Sequence, residues 1–217
     1  MNSVHSLIDM TRRGERWALA RFNDGEMAAI EQSAKTVARG DQPCTDALAA
    51  DLLWCIQQEA CGLFIGVPCR TCWPKHRAEA ERLTFSTYRT LAVVQTNRNL
   101  AQFKREMPLA LEGRVVHWIS GEDQDTDNLP FTVHYRLRLP LRDAYTSCRD
   151  EIMVSPFGPG DVVFLSCGPL ATVLAVRLFL RSPDTTFIDI GSTWDPETRG
   201  VSHRCHDGTL PPCEECN

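Results

Sequence analysis

The chain has 217 residues, enough for one good-sized domain and short for two, and its 43% hydrophobic and 24% charged content suits a folded globular protein. Its formal net charge is −5 and its basic residues form no long run, which argues against nucleic acid as a partner, because phosphate binding shows as a basic stripe. Residues 1–12 hold no apolar stretch of signal-peptide length, and the most apolar window, residues 171–180, contains Arg177 and falls short of the roughly 20 residues of a membrane span, so a cytoplasmic protein without a transmembrane segment is expected.

In chain order, strand-like apolar runs alternate with helix-like segments. Residues 17–22 read as a first strand stopped by Asn23-Asp24-Gly25, and residues 26–34 as a helix. Thr45 suits the N-cap of a helix over 46–60, and residues 63–67 form a β-rich run ended by Pro68. Residues 75–91 look helical, Val93-Val94 a short strand, and 99–111 helical despite Pro108. A strand over 115–119 ends at Ser120-Gly121, and a helix follows over 141–153. The carboxyl third carries a buried-strand pattern at 161–166, a Cys167-Gly168-Pro169 turn into a helix over 170–180, and a strand over 186–190 ended by Gly191-Ser192. Such alternation predicts one α/β domain over residues 1–217, with a mostly parallel sheet and helices on both faces.

The polar turns at Asn23-Asp24-Gly25-Glu26, Ser120-Gly121-Glu122-Asp123, Ser166-Cys167-Gly168 and Asp189-Ile190-Gly191-Ser192 all fall at carboxyl ends of these strands. Open parallel sheets bind ligands at that edge. Asp24 and Glu26 set two carboxylates around a glycine, a pattern that can hold Mn²⁺ or Mg²⁺ with substrate phosphates completing the shell. A tight turn with Glu26 at a helix start reads from the same residues. Gly168 opens a helix whose free N–H groups suit a phosphate, although neither a Walker loop nor a full Gly-x-Gly-x-x-Gly fingerprint is present. Residues 189–196 gather Asp189, Gly191, Ser192 and Asp195 in one strand-end loop, followed by Arg199, His203 and Arg204.

Arg21-Phe22-Asn23-Asp24-Gly25-Glu26 resembles the Arg-Phe/Tyr-Gly-Asp-Gly-Glu signature of the GT-D glycosyltransferases, with Asn23 in place of the glycine. Gly168-Pro169-Leu170-Ala171-Thr172-Val173-Leu174-Ala175 resembles that family's Gly-x-x-Ala-x-x-Leu-Ala helix start. Phe187-Ile188-Asp189-Ile190-Gly191 is similar to its Ala-Ile-Asp-Ile-Gly strand end, after which Ser192-Thr193-Trp194-Asp195 replaces a His-Ile-Asp segment. The resemblance implies a single Rossmann-like domain with an Asp-x-Glu motif for metal and nucleotide sugar. It implies transfer of a sugar from a nucleotide-diphosphate donor to a glycan or other hydroxyl acceptor. On that reading Asp24 and Glu26 hold the cation, and Arg21, Asn23, Gly25, Gly168, Thr172, Asp189, Gly191 and Ser192 surround the donor. Asp195 is the candidate base, with Glu122, Asp123 and His203 behind it.

Ten cysteines are many for a reducing compartment, and four form two Cys-x-x-Cys pairs, Cys69/Cys72 and Cys213/Cys216. Together they would close a structural Zn²⁺ site that pins the tail, about residues 203–217, to the body; His203, Cys205 and His206 could replace one pair. Unconnected thiols read equally well from the spacing, with Cys55, Cys61 and Cys148 in the core. Two rival readings stand beside the transferase: a zinc-stabilised binding protein on a degenerate scaffold, and another nucleotide-dependent transferase whose acidic strand end, Asp189, holds a ribose.

Overall fold

A computed structural model describes residues 4–32, 36–37, 42–71, 73–86, 89–91, 97–182 and 184–201. Seven of its strands form one sheet, in the spatial order β5 (Arg89–Leu91), β4 (Leu63–Val67), β1 (Ala18–Arg21), β9 (Thr186–Asp189), β8 (Val162–Ser166), β6 (Val116–Gly121) and β7 (Tyr135–Leu139). Every pairing in that sheet is parallel. Two short strands, β2 (Thr36–Val37) and β3 (Gln42–Pro43), pair antiparallel outside it. The helices are α1 (Val4–Arg13), α2 (Asp24–Ile30), α3 (Asp46–Ile56), α4 (Pro74–Leu83), α5 (Asn97–Ala110), α6 (Ala144–Met153), α7 (Pro169–Arg181) and α8 (Asp195–Arg199).

Both faces of the sheet are buried, and the two-residue period of each strand divides its side chains between two cores. Ala18, Ala20, Ile65, Ile119, Val163, Leu165 and Phe187 pack with α2, α3, α4, α6 and α7. Leu19, Phe64, Trp118, Phe164 and Ile188 pack with Leu7 and Ile8 of α1 and Phe103 of α5. The handedness of parallel crossovers explains the division. From β1 to β4 to β5, and from β7 to β8 to β9, the chain steps in one direction over the first face; from β5 to β6 to β7 it steps back over the second.

This winding creates the crevice. After β1 the chain turns into α2 on the first face. After β9, its neighbour, it turns toward α8 on the second face, where Trp194 is buried. Loops that leave adjacent strands in opposite directions open a gap between them, at the carboxyl edge of the sheet. Roofing the first face is α7, whose residues 169–176 are all buried.

Several elements differ from the sequence expectations. The segment 75–91 is two elements: α4 stops at Leu83, Thr84 turns extended (φ −81°, ψ 132°), and Arg89–Leu91 pairs with β4 as a strand. The second helix ends at Ile30, and Gln32 adopts φ 53°, a left-handed conformation that helical propagation does not allow. Asp143 (φ 58°) likewise delays α6 to Ala144. Pro108 stays inside α5. Not anticipated were α1, α8, the β2–β3 pair and the edge strand β7. Val93-Val94 lies outside the described residues. Among the described residues no helix is long and apolar enough to cross a membrane.

Candidate functional site

The polar turns meet where expected, on one edge, and a cleft of about 260 Å³ opens there. Arg21, Asn23, Asp24, Gly25, Glu26, Gly168, Pro169 and Ser192 line it. Seven of these are sequence candidates; the eighth, Pro169, fills the first turn of α7, where its missing N–H costs nothing.

The two carboxylates of the Asp24-Gly25-Glu26 turn face different surroundings. Asp24 is exposed at the first turn of α2, whereas Glu26 is 7% exposed and turns back to accept the Asn23 N–H at 2.9 Å. Burial, then the neighbouring Asp189 charge, pushes the Glu26 carboxyl up to about 7, against the pull of Arg21 and the backbone donors. Gly25 sits between them with open space on its Cα: a Cβ there would meet nothing within 4 Å.

Beneath the cleft lies a caged ion pair. Asp189, 2% exposed, accepts the Arg21 N–H at 3.3 Å, Arg21 Nε at 3.4 Å and the Gly191 N–H at 3.1 Å. The Thr172 hydroxyl lies 2.9 Å from both Asp189 Oδ2 and the Arg21 carbonyl. Burial raises the Asp189 carboxyl, and Arg21, Thr172 and the two backbone donors oppose that rise. Gly191 has φ 49°, and a Cβ there would stand 2.6 Å from the Arg21 guanidinium carbon, so only glycine lets this loop lie on Arg21. Arg21 is 6% exposed, and its Nη1 has no hydrogen-bond partner among the described residues. Gly168, at φ 63° and ψ −148°, starts α7 on the opposite wall.

Of the sequence candidates, then, Arg21, Asn23, Asp24, Gly25, Glu26, Gly168 and Ser192 line the cleft. Thr172, Asp189 and Gly191 lie behind it and hold Arg21. Asp195 is elsewhere: it is 2% exposed at the start of α8, with both carboxylate oxygens 3.3 Å from Arg199 Nη1. Arg199 also reaches Asp123 at 3.0 Å, and Glu122 and Asp123 are exposed on the same edge of the sheet. Behind the cleft, two residues that carried no signal in the sequence, Gln124 and Trp118, back Ser166 of the Ser166-Cys167-Gly168 turn. Ser166 at the end of β8 donates to the Gly191 carbonyl at 2.7 Å, Gln124 donates to Ser166, and Trp118 donates to Gln124. A Ser closing a strand before Cys-Gly was visible; its buried partners were not.

Among the described residues no group of three or more His, Cys, Asp or Glu side chains is gathered to hold a metal by itself. Asp24 and the remaining lone pairs of Glu26 still suit a hard cation that keeps water and substrate phosphates in its shell. Cys69 is half-buried after β4, while Cys72, Cys213, Cys216, His203, Cys205 and His206 lie outside the described residues. Cys55 is buried and Cys148 half-buried, as a core reading requires, but Cys61 is exposed.

No protein-family model matches the sequence, and no curated protein is significantly similar to it. Solved structures do share its fold. A selenomethionine-substituted domain of unknown function 1792 superposes with TM-score 0.70 at 15% identity, over 88% of this chain and 78% of that one. A second structure, of the highly conserved domain of unknown function 1792, is described as a distinct glycosyltransferase fold; it gives TM-score 0.69 at 16% identity, over 90% and 80%. A third, described as a new glycosyltransferase of that domain type from Streptococcus sanguinis, gives 0.69 at 15%, over 94% and 86%. At such identities the likeness establishes the fold alone: a Rossmann-like, all-parallel α/β domain shared with the domain of unknown function 1792.

Proposed function

We propose that the chain is a glycosyltransferase that moves a sugar from a nucleoside-diphosphate sugar to a hydroxyl acceptor, with Mn²⁺ or Mg²⁺ held at Asp24 and Glu26. The observation that carries this reading is the buried guanidinium of Arg21 at the cleft, its Nη1 left without a partner. A buried cationic donor without an acceptor is costly unless a ligand supplies one, and a diphosphate oxygen is a strong acceptor. Across the cleft the N-terminus of the 13-residue α7 adds peptide N–H groups and the positive end of a helix dipole. The shared glycosyltransferase fold supports the same class of chemistry.

In this scheme Asp24 and Glu26 are the protein's cation ligands, and a bound divalent ion would act as a Lewis acid on the departing diphosphate. Arg21 takes a diphosphate oxygen, and Asp189 with Thr172 keeps its guanidinium in place. Asn23 and Ser192 line the mouth, within reach of the donor's polar groups. Asp195 is buried and committed to Arg199, and Asp123 pairs with the same guanidinium, so the exposed Glu122 is the better candidate to take the acceptor proton.

Calorimetry with UDP and GDP, with and without manganese, tests the reading. One of the two should bind with manganese and only weakly in chelator. Asp24→Asn and Glu26→Gln should lose that metal-dependent part while staying folded, since a glutamine amide oxygen in place of the Glu26 carboxylate still accepts the Asn23 N–H. Equal affinity in both variants and the unaltered chain would sink the cation assignment. Stabilisation by S-adenosylmethionine alone would point to a methyl transferase, and by no nucleotide to a binding protein.

A further inference from the structure

Gln124 lies just past the end of β6, two strands away from β9, and does not line the cleft. Its side chain is 1% exposed, and both of its polar atoms are engaged. Oε1 accepts the Trp118 indole N–H at 3.1 Å, and Nε2 donates to Ser166 Oγ at 2.7 Å and stands 3.4 Å from the Ser166 carbonyl. The Ser166 hydroxyl in turn donates to the Gly191 carbonyl at 2.7 Å.

Donor and acceptor chemistry gives this chain of bonds a direction. An indole N–H can only donate, so the oxygen of the Gln124 amide must face Trp118 and its NH₂ must face Ser166. A serine hydroxyl that receives a bond from an amide has its single proton free to give, and Gly191 is the acceptor in reach. Gly191 is the residue that lies on the Arg21 guanidinium, and Ser192 after it lines the cleft. The turn holding Gln124 is itself tied down, by the Arg136 guanidinium on the Gln124 carbonyl, by the Asp125 N–H on the Thr198 carbonyl at 2.7 Å, and by Arg199 on Asp123.

We propose that Gln124 is a positioning residue: through Ser166 it sets the 191–193 turn against Arg21 and thereby fixes the wall of the donor cleft. The effect on the turn stands on the hydrogen-bond geometry alone, and the effect on the donor rests on the function proposed above. Gln124→Leu keeps bulk and removes both bonds. Ser166→Ala removes only the hydroxyl and is the gentler variant should the first fold poorly.

Hydrogen exchange of the full chain without ligand reads the turn directly. In each single variant the 189–195 segment should exchange about tenfold faster, the size expected for one lost hydrogen bond, while β4 keeps its protection. The double variant should be no faster than the quicker single one, because both changes break one chain of bonds. Affinity for the manganese complex of UDP or GDP should fall by a similar factor, again without adding in the double variant. Unchanged exchange in folded Ser166→Ala, or effects that add, would overturn the proposal. A loosened turn in a protein that binds no nucleoside diphosphate even unaltered would uphold the positioning of the turn and overturn the donor-site reading.

Discussion

Glu26 is where the chemistry of the cleft becomes measurable at the scale of one residue. Its carboxyl moves from 4.5 to about 7, because burial and the Asp189 charge outweigh Arg21 and the backbone donors. A raised folded-state value means that the folded protein holds the proton more tightly than the unfolded chain does. The stability that follows is full below the unfolded value and is lost as pH rises through about 7. Asp189, raised as well, acts with the same sign. The ligand-free protein should therefore melt at a lower temperature at about pH 8 than at about pH 5, and Glu26→Gln should flatten that slope. Cation binding requires the ionised form, so affinity for a manganese nucleotide should rise with pH and level off above about 7. Parallel melting curves for the variant and the unaltered chain would show that Glu26 does not titrate in this range. The pattern of two acids around a glycine was legible in the sequence as a ligand or a helix start. The structure shows the helix-start role, with Glu26 accepting the Asn23 N–H, and the rise of its carboxyl was not legible, since that depends on Asp189 and Arg21 brought beside it by the pairing of β1 with β9.

At the scale of elements, Asp51 ties three helices together. Its carboxylate on α3 accepts the Tyr145 hydroxyl at 2.7 Å and Arg149 Nη1 at 2.9 Å from α6, and Arg177 from α7. Burial pushes the Asp51 carboxyl up, but hydrogen bonds from Tyr145 and Arg177 and the two arginine charges outweigh it, leaving it below the usual range. A depressed acid contributes stability above its unfolded value of 3.8 that is lost as pH falls through the lower folded value. Asp51→Ala should lower the urea midpoint by about 2 kcal/mol of stability at neutral pH with little change in slope, and the gap should narrow in acid. Nucleotide binding should be untouched, because none of these groups lines the cleft. An undiminished midpoint would mean the three helices hold by apolar packing alone. Elements with a continuous apolar run, such as β4 and α7, were legible because burial on all sides leaves a plain mark. The Tyr135–Leu139 strand was missed: arginines alternate with its apolar residues at a sheet edge, and Tyr135 is 62% exposed. β5 is three residues long and owes its form to β4 beside it, so local pattern pointed to a continuing helix. By contrast α1 carried a readable amphipathic spacing at Val4, Leu7, Ile8 and Thr11.

On the scale of the whole molecule, the order of strands decides what lies beside the cleft. β4 is the direct neighbour of β1, and the Phe22 N–H bonds the Gly66 carbonyl at 2.7 Å, so the segment leaving β4 rises from the same edge as the Asn23–Glu26 turn. Cys69 stands in that segment, two residues past the end of β4, with the Trp73 N–H on its carbonyl. One zinc shared by Cys69, Cys72, Cys213 and Cys216 would therefore join the carboxyl tail to the body beside the cleft. Four thiolates make a closed tetrahedral site that contributes folding energy and leaves no open position for catalysis. Elemental analysis of protein purified without added metal should find about one zinc per chain. Chelation should lower the melting temperature, and the four thiols should then react with a thiol reagent that they resist in the loaded protein. Nucleotide affinity adds a second readout. Cys213→Ser with Cys216→Ser should change the affinity for manganese UDP or GDP if the tail borders the cleft, whereas Cys61→Ser, at an exposed position after α3, should change neither affinity nor melting temperature. A metal-free chain of full stability, with all four thiols reactive from the start, would leave the two Cys-x-x-Cys pairs as unconnected thiols.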